Sequence, residues 1–273
     1  MADFLDMPEF RVPLEVMPYF FDNGDRCYEL PVKWVRRRDE RFTGLRLITR
    51  RQQFGLCYQQ LAGRYYWSMP NPSGVLVCPF VETRYIVPGA EFPGDIDLLI
   101  LPYEGNELVL SKAMAVELKV IRASFLKQGK SPNSFGFTQA GGLMALGFPY
   151  VAVAHLITSD DSPPRYWRET LVTTVLDQTG RVDTPVGFTT DMLPADLIDR
   201  GFRRLLSRSP HDCIGLLSTY MEGEGTWLPS GKAAGLNPQM QCGLLQRLGE
   251  YYYRNPERFL LTPKFPLERS LGK

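Results

Sequence analysis

The stretch GDIDLLILPYEGNELVLSKAMAVELKV, residues 94–120, sets Asp95 and Asp97 at the mouth of one apolar run and Glu117 and Lys119 inside the next. Side chains alternate along a strand. In MAVELKVI, Met114, Val116, Leu118 and Val120 therefore share one face, and Ala115, Glu117, Lys119 and Ile121 the other. Glu117 and Lys119 point the same way, about 7 Å apart along the strand. IDLLILP and MAVELKVI read as neighbouring strands with YEGNE as the turn between them. LVLSK reads as the start of the returning strand, entered through a bulge. Such a hairpin brings the carboxylate of Asp97 beside that of Glu117.

Outward from this hairpin the chain reads as mixed α/β. GVLVCPFVE, residues 74–82, is a buried strand that Pro79 ends or bulges. Residues 40–62 carry apolar side chains at loose helical spacing, which predicts one helix with a break near Gly55. YYWSMPNPSG, residues 65–74, is a turn-rich connector. Residues 1–31, punctuated by Pro8, Pro13, Pro18 and Pro31, predict an extended, packed arm. Beyond Lys119, a basic stretch and a loop lead to a helix over 134–147, whose small residues at 140, 141, 142 and 145 let it lie close to a sheet. PYVAVAHLI is a further strand. Strand, strand, strand, helix, strand predicts a mixed central β-sheet flanked by helices. Further on, LVTTVL reads as a strand and PADLIDRGFRRLLSR as an amphipathic helix. NPQMQCGLLQRLGEYYYRNPERF reads as a helix stopped by Pro256. The expectation is a single domain over 1–273: a core at about 74–157, an N-terminal arm and helix over 1–73, and a C-terminal helical addition over 158–273.

The bulk composition narrows the function classes. Among 273 residues, 44% are hydrophobic and 12% aromatic, which predicts a packed globular chain rather than disorder. Lys and Arg total 31 against 30 acids, a formal charge of +1, so a strongly basic nucleic-acid coat is absent and a polyanion must meet a local patch. Cys27, Cys57, Cys78, Cys213 and Cys242 are scattered, without a CxxC pair, and support neither a disulfide framework nor a zinc cluster. The opening MADFLDMPEFRV lacks the pattern of a signal peptide, and no apolar run nears the roughly 20 residues of a membrane span. A soluble cytoplasmic protein, with no membrane partner, is the simplest expectation.

The paired charges are the chemical signal. Two adjacent carboxylates repel and raise one another's pKa. A hard divalent cation relieves that repulsion, and Mg²⁺ typically takes one or two carboxylates together with waters and substrate phosphate. A lysine beside such a site orients a water or stabilises charge on a phosphate oxygen. These residue types fit metal-assisted phosphodiester hydrolysis.

Asp97, with Glu117-Leu118-Lys119 following on the next strand, resembles the PD-(D/E)xK nuclease superfamily, and the element order is similar to its restriction-endonuclease-like αβββαβ core, here with N- and C-terminal additions. The resemblance covers roughly residues 74–157 and implies a magnesium- or manganese-dependent nuclease, most simply a DNA endonuclease serving phage defence, transposition or repair. It implies that Asp97 and Glu117 ligate Mg²⁺ (or Mn²⁺) with the backbone carbonyl of Leu118, and that Lys119 positions the attacking water. It also implies an upstream acid, for which Glu82 and Glu91 are the candidates, and an auxiliary glutamine on the following helix, Gln139. DNA is the implied partner, and the resemblance admits a homodimer or a place in a larger complex.

Plainer readings stand beside these. Glu117 and Lys119 can form an edge-strand ion pair of small worth, although the run is apolar on both sides of them. Asp97 or Asp95 can cap the turn after Pro93-Gly94, and Gln139 can face solvent. His155 reads as a core residue and His211 as a loop residue. Between residues 33 and 51, Lys33, Arg36, Arg37, Arg38, Arg41, Arg46, Arg50 and Arg51 oppose only Asp39 and Glu40. A second cluster is Lys119, Arg122, Lys127 and Lys130. Arg36, Arg37, Arg38, Arg50, Arg51, Lys127 and Lys130 are the candidate phosphate contacts, against a solvated face as the alternative. Two other functions compete: a nuclease-like subunit that binds nucleic acid or protein without cleaving, and a nucleotidyltransferase read from Asp95-Ile96-Asp97. The latter lacks an upstream Gly-Ser turn and leaves Lys119 unexplained.

Overall fold

Both strands of the quoted stretch form, and both lie inside a sheet covered on two faces. The computed structural model describes residues 9–15, 32–37, 39–129, 132, 135–223 and 225–264. In chain order its elements are β1 (Arg11–Pro13), α1 (Val32–Arg37), α2 (Glu40–Thr49), α3 (Arg51–Ala62), α4 (Arg64–Ser68), β2 (Ser73–Glu82), β3 (Asp95–Glu104), β4 (Glu107–Val109) and β5 (Met114–Arg122). Then follow α5 (Phe137–Ala145), β6 (Tyr150–Thr158), β7 (Arg168–Val172), β8 (Val186–Thr190), α6 (Leu193–Arg208), β9 (Gly215–Tyr220), β10 (Ser230–Lys232), α7 (Cys242–Arg254) and β11 (Leu260–Pro263).

Among the described residues, nine strands make one curled mixed sheet. β2 pairs antiparallel with β3, and β3 with β5. β5, β6 and β9 run parallel, as connections that pass through helices require. Alternation sorts the side chains. Val116 and Leu118 of β5 join Leu47 and Ile48 of α2 and Phe54 and Leu61 of α3 on one face. Ala115 of β5 joins Ala140 and Leu143 of α5 and Leu244 and Leu248 of α7 on the other. On α6, Leu193, Leu197, Ile198, Gly201 and Leu205 are buried, the helical spacing of an apolar stripe. No helix among the described residues is long and apolar enough to cross a membrane.

Several sequence expectations are corrected. Residues 40–62 form two helices rather than one. The break falls at Arg50 (φ −84°, ψ 75°), not Gly55, because the Arg50 guanidinium is drawn to the carbonyls of Met221 and Gly223. The 65–74 connector opens with the short helix α4. Pro79 does not end its strand. β11 covers β2 only over Gly74–Val77, so Pro79 lies beyond that ladder and its missing N–H costs no bond there. LVLSK is not the start of β5. It forms the end of β4 and a 3₁₀ turn over Leu110–Lys112. The largest correction concerns residues 158–273, which are not a purely helical addition. β9, β10 and β11 enter the central sheet, and every residue of β9 is buried. Its run GLLSTY is buried on both faces and mixes apolar with small polar residues on each, so no alternation marks it as a strand. The LVTTVL region instead joins a separate two-stranded ribbon, β7–β8. Most of the expected N-terminal arm lies outside the described residues.

The burial of β9 predicts that Leu216→Ala, at a fully buried position, costs about 2–5 kcal/mol. Leu171→Ala in the exposed ribbon should stay within about 0.5 kcal/mol. Urea midpoints of the two variants against the parent chain check this.

Candidate active site

The ladder between β3 and β5 is short: Leu98↔Val116, Leu99↔Ala115 and Ile100↔Met114. One step further would set Asp97 against Glu117, but the strands part there. An edge that loses its partner leaves main-chain N–H groups to be satisfied, and on β5 these belong to alternate residues. Asp97 Oδ2 accepts the Leu118 N–H at 2.7 Å. A main-chain hydrogen bond from Val120 bears on Glu40, the first residue of α2. Two carboxylates thus replace the missing ladder and line the gap. The Leu118 carbonyl leaves β5 on the same edge as its N–H.

The parting is prepared in β2. Phe80 stands opposite Asp97, between the pairs Pro79↔Leu98 and Val81↔Ile96, and holds a left-handed φ of 53°. A bulky residue in that region is strained. Alternation slips here in both strands: Cys78 and Val81 face one core, as do Ile96 and Leu99, although each pair is three residues apart. Gly44 lets α2 close over the kink. A Cβ at that position would lie 2.8 Å from Leu118 Cδ1 and 3.1 Å from Phe80 Cζ. This close approach carries Glu40, one turn earlier, to the sheet edge.

The electrostatics follow from burial. Asp97 is 6% exposed and Glu117 4%. Lys119 Nζ meets Glu117 Oε1 at 2.6 Å and Glu40 Oε1 at 3.5 Å. Burial, and then the neighbouring Glu117, push the Asp97 carboxyl well above the usual carboxylate range. Burial also raises Glu117 against the opposing pull of Lys119, and raises Glu40 against the same pull. Burial works to lower Lys119, but the hydrogen bond and charge of Glu117, joined by Glu40 and Asp97, leave its pKa raised. Lys119 is therefore an ammonium at neutral pH, suited to holding anionic charge rather than to accepting a proton.

α5 closes the other side. Its N-cap, Gly136, has φ 86°, a conformation open to glycine, and a Cβ there would lie 3.0 Å from Glu117 Cγ. Gln139, one turn along, has a buried Oε1 with no hydrogen-bond partner. Such an orphan costs about 1–3 kcal/mol unless a water or ligand satisfies it. His155, the register neighbour of Lys119 on β6, is buried, and burial lowers its pKa to about 4. The neutral ring donates from Nε2 to the Phe135 carbonyl at 3.1 Å and so fixes the entry to α5. It is a structural residue, as its sequence context indicates.

Among the described residues, no group of three or more His, Cys, Asp or Glu side chains has the arrangement of a metal centre. The donor set still suits a hard cation: two crowded buried acids and a carbonyl on the unpaired edge. That is the set Mg²⁺ completes with waters and phosphate. No family model matches the chain, and no curated protein or solved structure matches it.

Of the residues marked in the sequence, Asp97, Glu117, Leu118 and Lys119 come together, while Gln139 lies one turn into α5, past the Gly136 that meets Glu117. Glu82 and Glu91 do not join them. Glu82 pairs with Arg84 at 2.6 Å, and Glu91 is exposed in the loop before β3. The upstream acid that does reach the cluster is Glu40, which meets Lys119. Its signal in the sequence is that Asp39 and Glu40 are the only acids within a basic stretch: Asp39 caps α2 through the Phe42 N–H, and Glu40 follows. Asp95 faces Arg41 at 4.0 Å on the rim. Arg36 and Arg37 are exposed at the end of α1, where Arg122 Nη2 donates to the Arg37 carbonyl. They lie beside the strand that bears Lys119. Lys127 is exposed beyond β5. Arg50 is a clamp on the chain after β9, and Arg51 lines a separate cavity of about 460 Å³ that contains no residue of the cluster. Arg38 and Lys130 lie outside the described residues.

The raised Asp97 pKa has a sign. Below the usual carboxylate range both folded and unfolded chains hold the proton. Above it the unfolded chain releases its proton while folded Asp97 retains it, so stability falls as pH rises. Asp97→Asn keeps an acceptor for the Leu118 N–H and cannot ionise. The variant should be more stable than the parent at neutral pH by at least about 1 kcal/mol, the worth of roughly one pKa unit. The difference should shrink as pH falls into the carboxylate range, as read from urea unfolding at several pH values.

Proposed function

We propose that the chain is a divalent-metal-dependent nuclease, most simply a DNA endonuclease, built on a restriction-endonuclease-like core. The order α2–α3, β2, β3, β5, α5, β6 supports that core. The observation that carries the reading is the convergence of Asp97, Glu117, Lys119 and Glu40 where β3 and β5 part. Residues that only held the fold together would not need two acidic side chains crowded into one buried gap.

When bound, Mg²⁺ or Mn²⁺ supplies Lewis-acid polarisation of the scissile phosphate and a more acidic water. Asp97 and Glu117 would hold the ion, together with the Leu118 carbonyl. Lys119, kept protonated by Glu117 and Glu40, stabilises the charge that develops on the phosphate oxygens. Glu40 positions the ammonium. Gln139 Oε1 accepts a hydrogen bond from a water entering the gap. Arg36, Arg37 and Lys127 hold flanking phosphates without reading sequence. The four described cysteines, Cys57, Cys78, Cys213 and Cys242, are free, which suits a reducing, cytoplasmic compartment.

Two experiments test this. Purified chain with Mn²⁺ should cut supercoiled plasmid. Lys119→Ala should slow cutting about 10²–10³-fold, as for loss of one charge-stabilising donor, and Glu40→Gln about 10–100-fold, as for a supporting partner. If the parent chain binds DNA yet leaves every DNA and RNA form intact with Mg²⁺ and Mn²⁺, it is a binding subunit instead. Separately, Arg36→Ala with Arg37→Ala should weaken DNA binding and flatten the log–log salt slope by about 2. Arg50→Ala should lower stability and leave that slope unchanged, as followed by fluorescence anisotropy and thermal melting.

A further inference from the structure

The β7–β8 ribbon carries an apolar stripe that the fold leaves uncovered. Its register is Arg168↔Thr190, Glu169↔Thr189, Thr170↔Phe188, Leu171↔Gly187 and Val172↔Val186. Directly opposed residues share a face. One face therefore carries Thr170, Phe188, Val172 and Val186, and the bridge Val175↔Val182 follows towards the tip. Phe188 is 45% exposed, Val186 67% and Val175 65%. Residues 171–189 are all exposed, so neither face of the ribbon packs on the body. A two-stranded ribbon alone is marginally stable in water, and an uncovered apolar stripe of this length marks an interaction surface.

The charges of the ribbon indicate the kind of occupant. Within 168–190 the charges are Arg168, Glu169, Asp177, Arg181 and Asp183, with bases and acids nearly balanced. Arg168 is bound to Asp196 at 2.6 Å and Arg181 to Asp177 at 3.2 Å. The ribbon thus offers no field for a polyanion or an anionic lipid surface. Among the described residues β7 and β8 pair only with each other, so both outer edges are open. A neutral stripe of Val and Phe is complementary to itself, which is what a two-fold interface requires.

We propose that the ribbon is a dimerisation arm, and that its occupant is the ribbon of a second copy of this chain. The two Val172–Val186–Phe188 stripes pack face to face about a two-fold axis. The inference stands apart from the nuclease reading, since it uses none of the same residues.

Sedimentation of the full chain over a concentration series tests it. The parent chain should sediment as a dimer. Phe188→Glu and Val186→Lys should each weaken self-association by at least about tenfold, equivalent to 1.4 kcal/mol. Both should keep the parent far-UV spectrum, because the ribbon lies outside the core. Hydrogen exchange across 168–190 should slow in the dimer and not in the variants. A parent chain that stays monomeric throughout the series overturns the proposal, as does a dimer that both variants leave intact. Protection of the ribbon only on adding duplex DNA also overturns it, since DNA would then be the occupant.

Discussion

The site rests on an interrupted ladder. Where β3 leaves β5, the sheet gives up main-chain hydrogen bonds in its own interior, and an unsatisfied buried N–H is costly. Carboxylates answer that cost: Asp97 takes the Leu118 N–H, and Glu40 receives one from Val120. The same substitution creates a second problem. Two buried acids and a half-buried third now meet at one gap, and desolvation raises all three. A single ammonium, Lys119, offsets part of the repulsion. The remainder is a standing preference for more positive charge, which a divalent cation would satisfy.

Much of the surrounding fold serves that gap. The left-handed Phe80 and the slipped alternation at Asp97 part the strands. Gly44 allows α2 to approach closely enough for its first residue to reach Lys119, and Gly136 allows the start of α5 to touch Glu117. His155 holds the Phe135 carbonyl and so the loop that precedes α5. Each of these positions departs from local preference: a bulky residue at positive φ, a glycine inside a helix, a buried imidazole kept neutral. Such departures gather at sites where geometry matters more than local stability.

Stability and chemistry are accordingly set against each other at Asp97. The carboxylate that suits a cation is the group whose burial weakens the cation-free fold as pH rises. Such a trade is expected where selection acts on activity above a stability threshold. The ribbon β7–β8 shows the same tension in another form, for an apolar stripe facing water has a cost that only a partner removes.

By itself the sequence determined the two strands of the quoted stretch. IDLLILP and MAVELKVI are short apolar runs bounded by turn residues, and the alternation of side chains along a strand placed Glu117 and Lys119 on one face. The PADLIDRGFRRLLSR stripe was readable for the same reason, since it is a local pattern; of the small residues of α5, Ala140 lies in the core, whereas Gly142 packs against Phe92 and Pro93 and Gly141 faces open space. Tertiary structure alone decided the rest. β9 is buried on both faces and carries no periodic mark, and its place beside β6 is a matter of long-range pairing. The helix break at Arg50 depends on carbonyls some 170 residues away in the chain. Glu40 lies far upstream of Asp97 and reads as one acid in a basic stretch, because only the closure of α2 over Gly44 brings it to Lys119. Periodicity is local and survives in a linear text; the meeting of distant edges depends on which surfaces bury one another, and no short window of sequence contains that information.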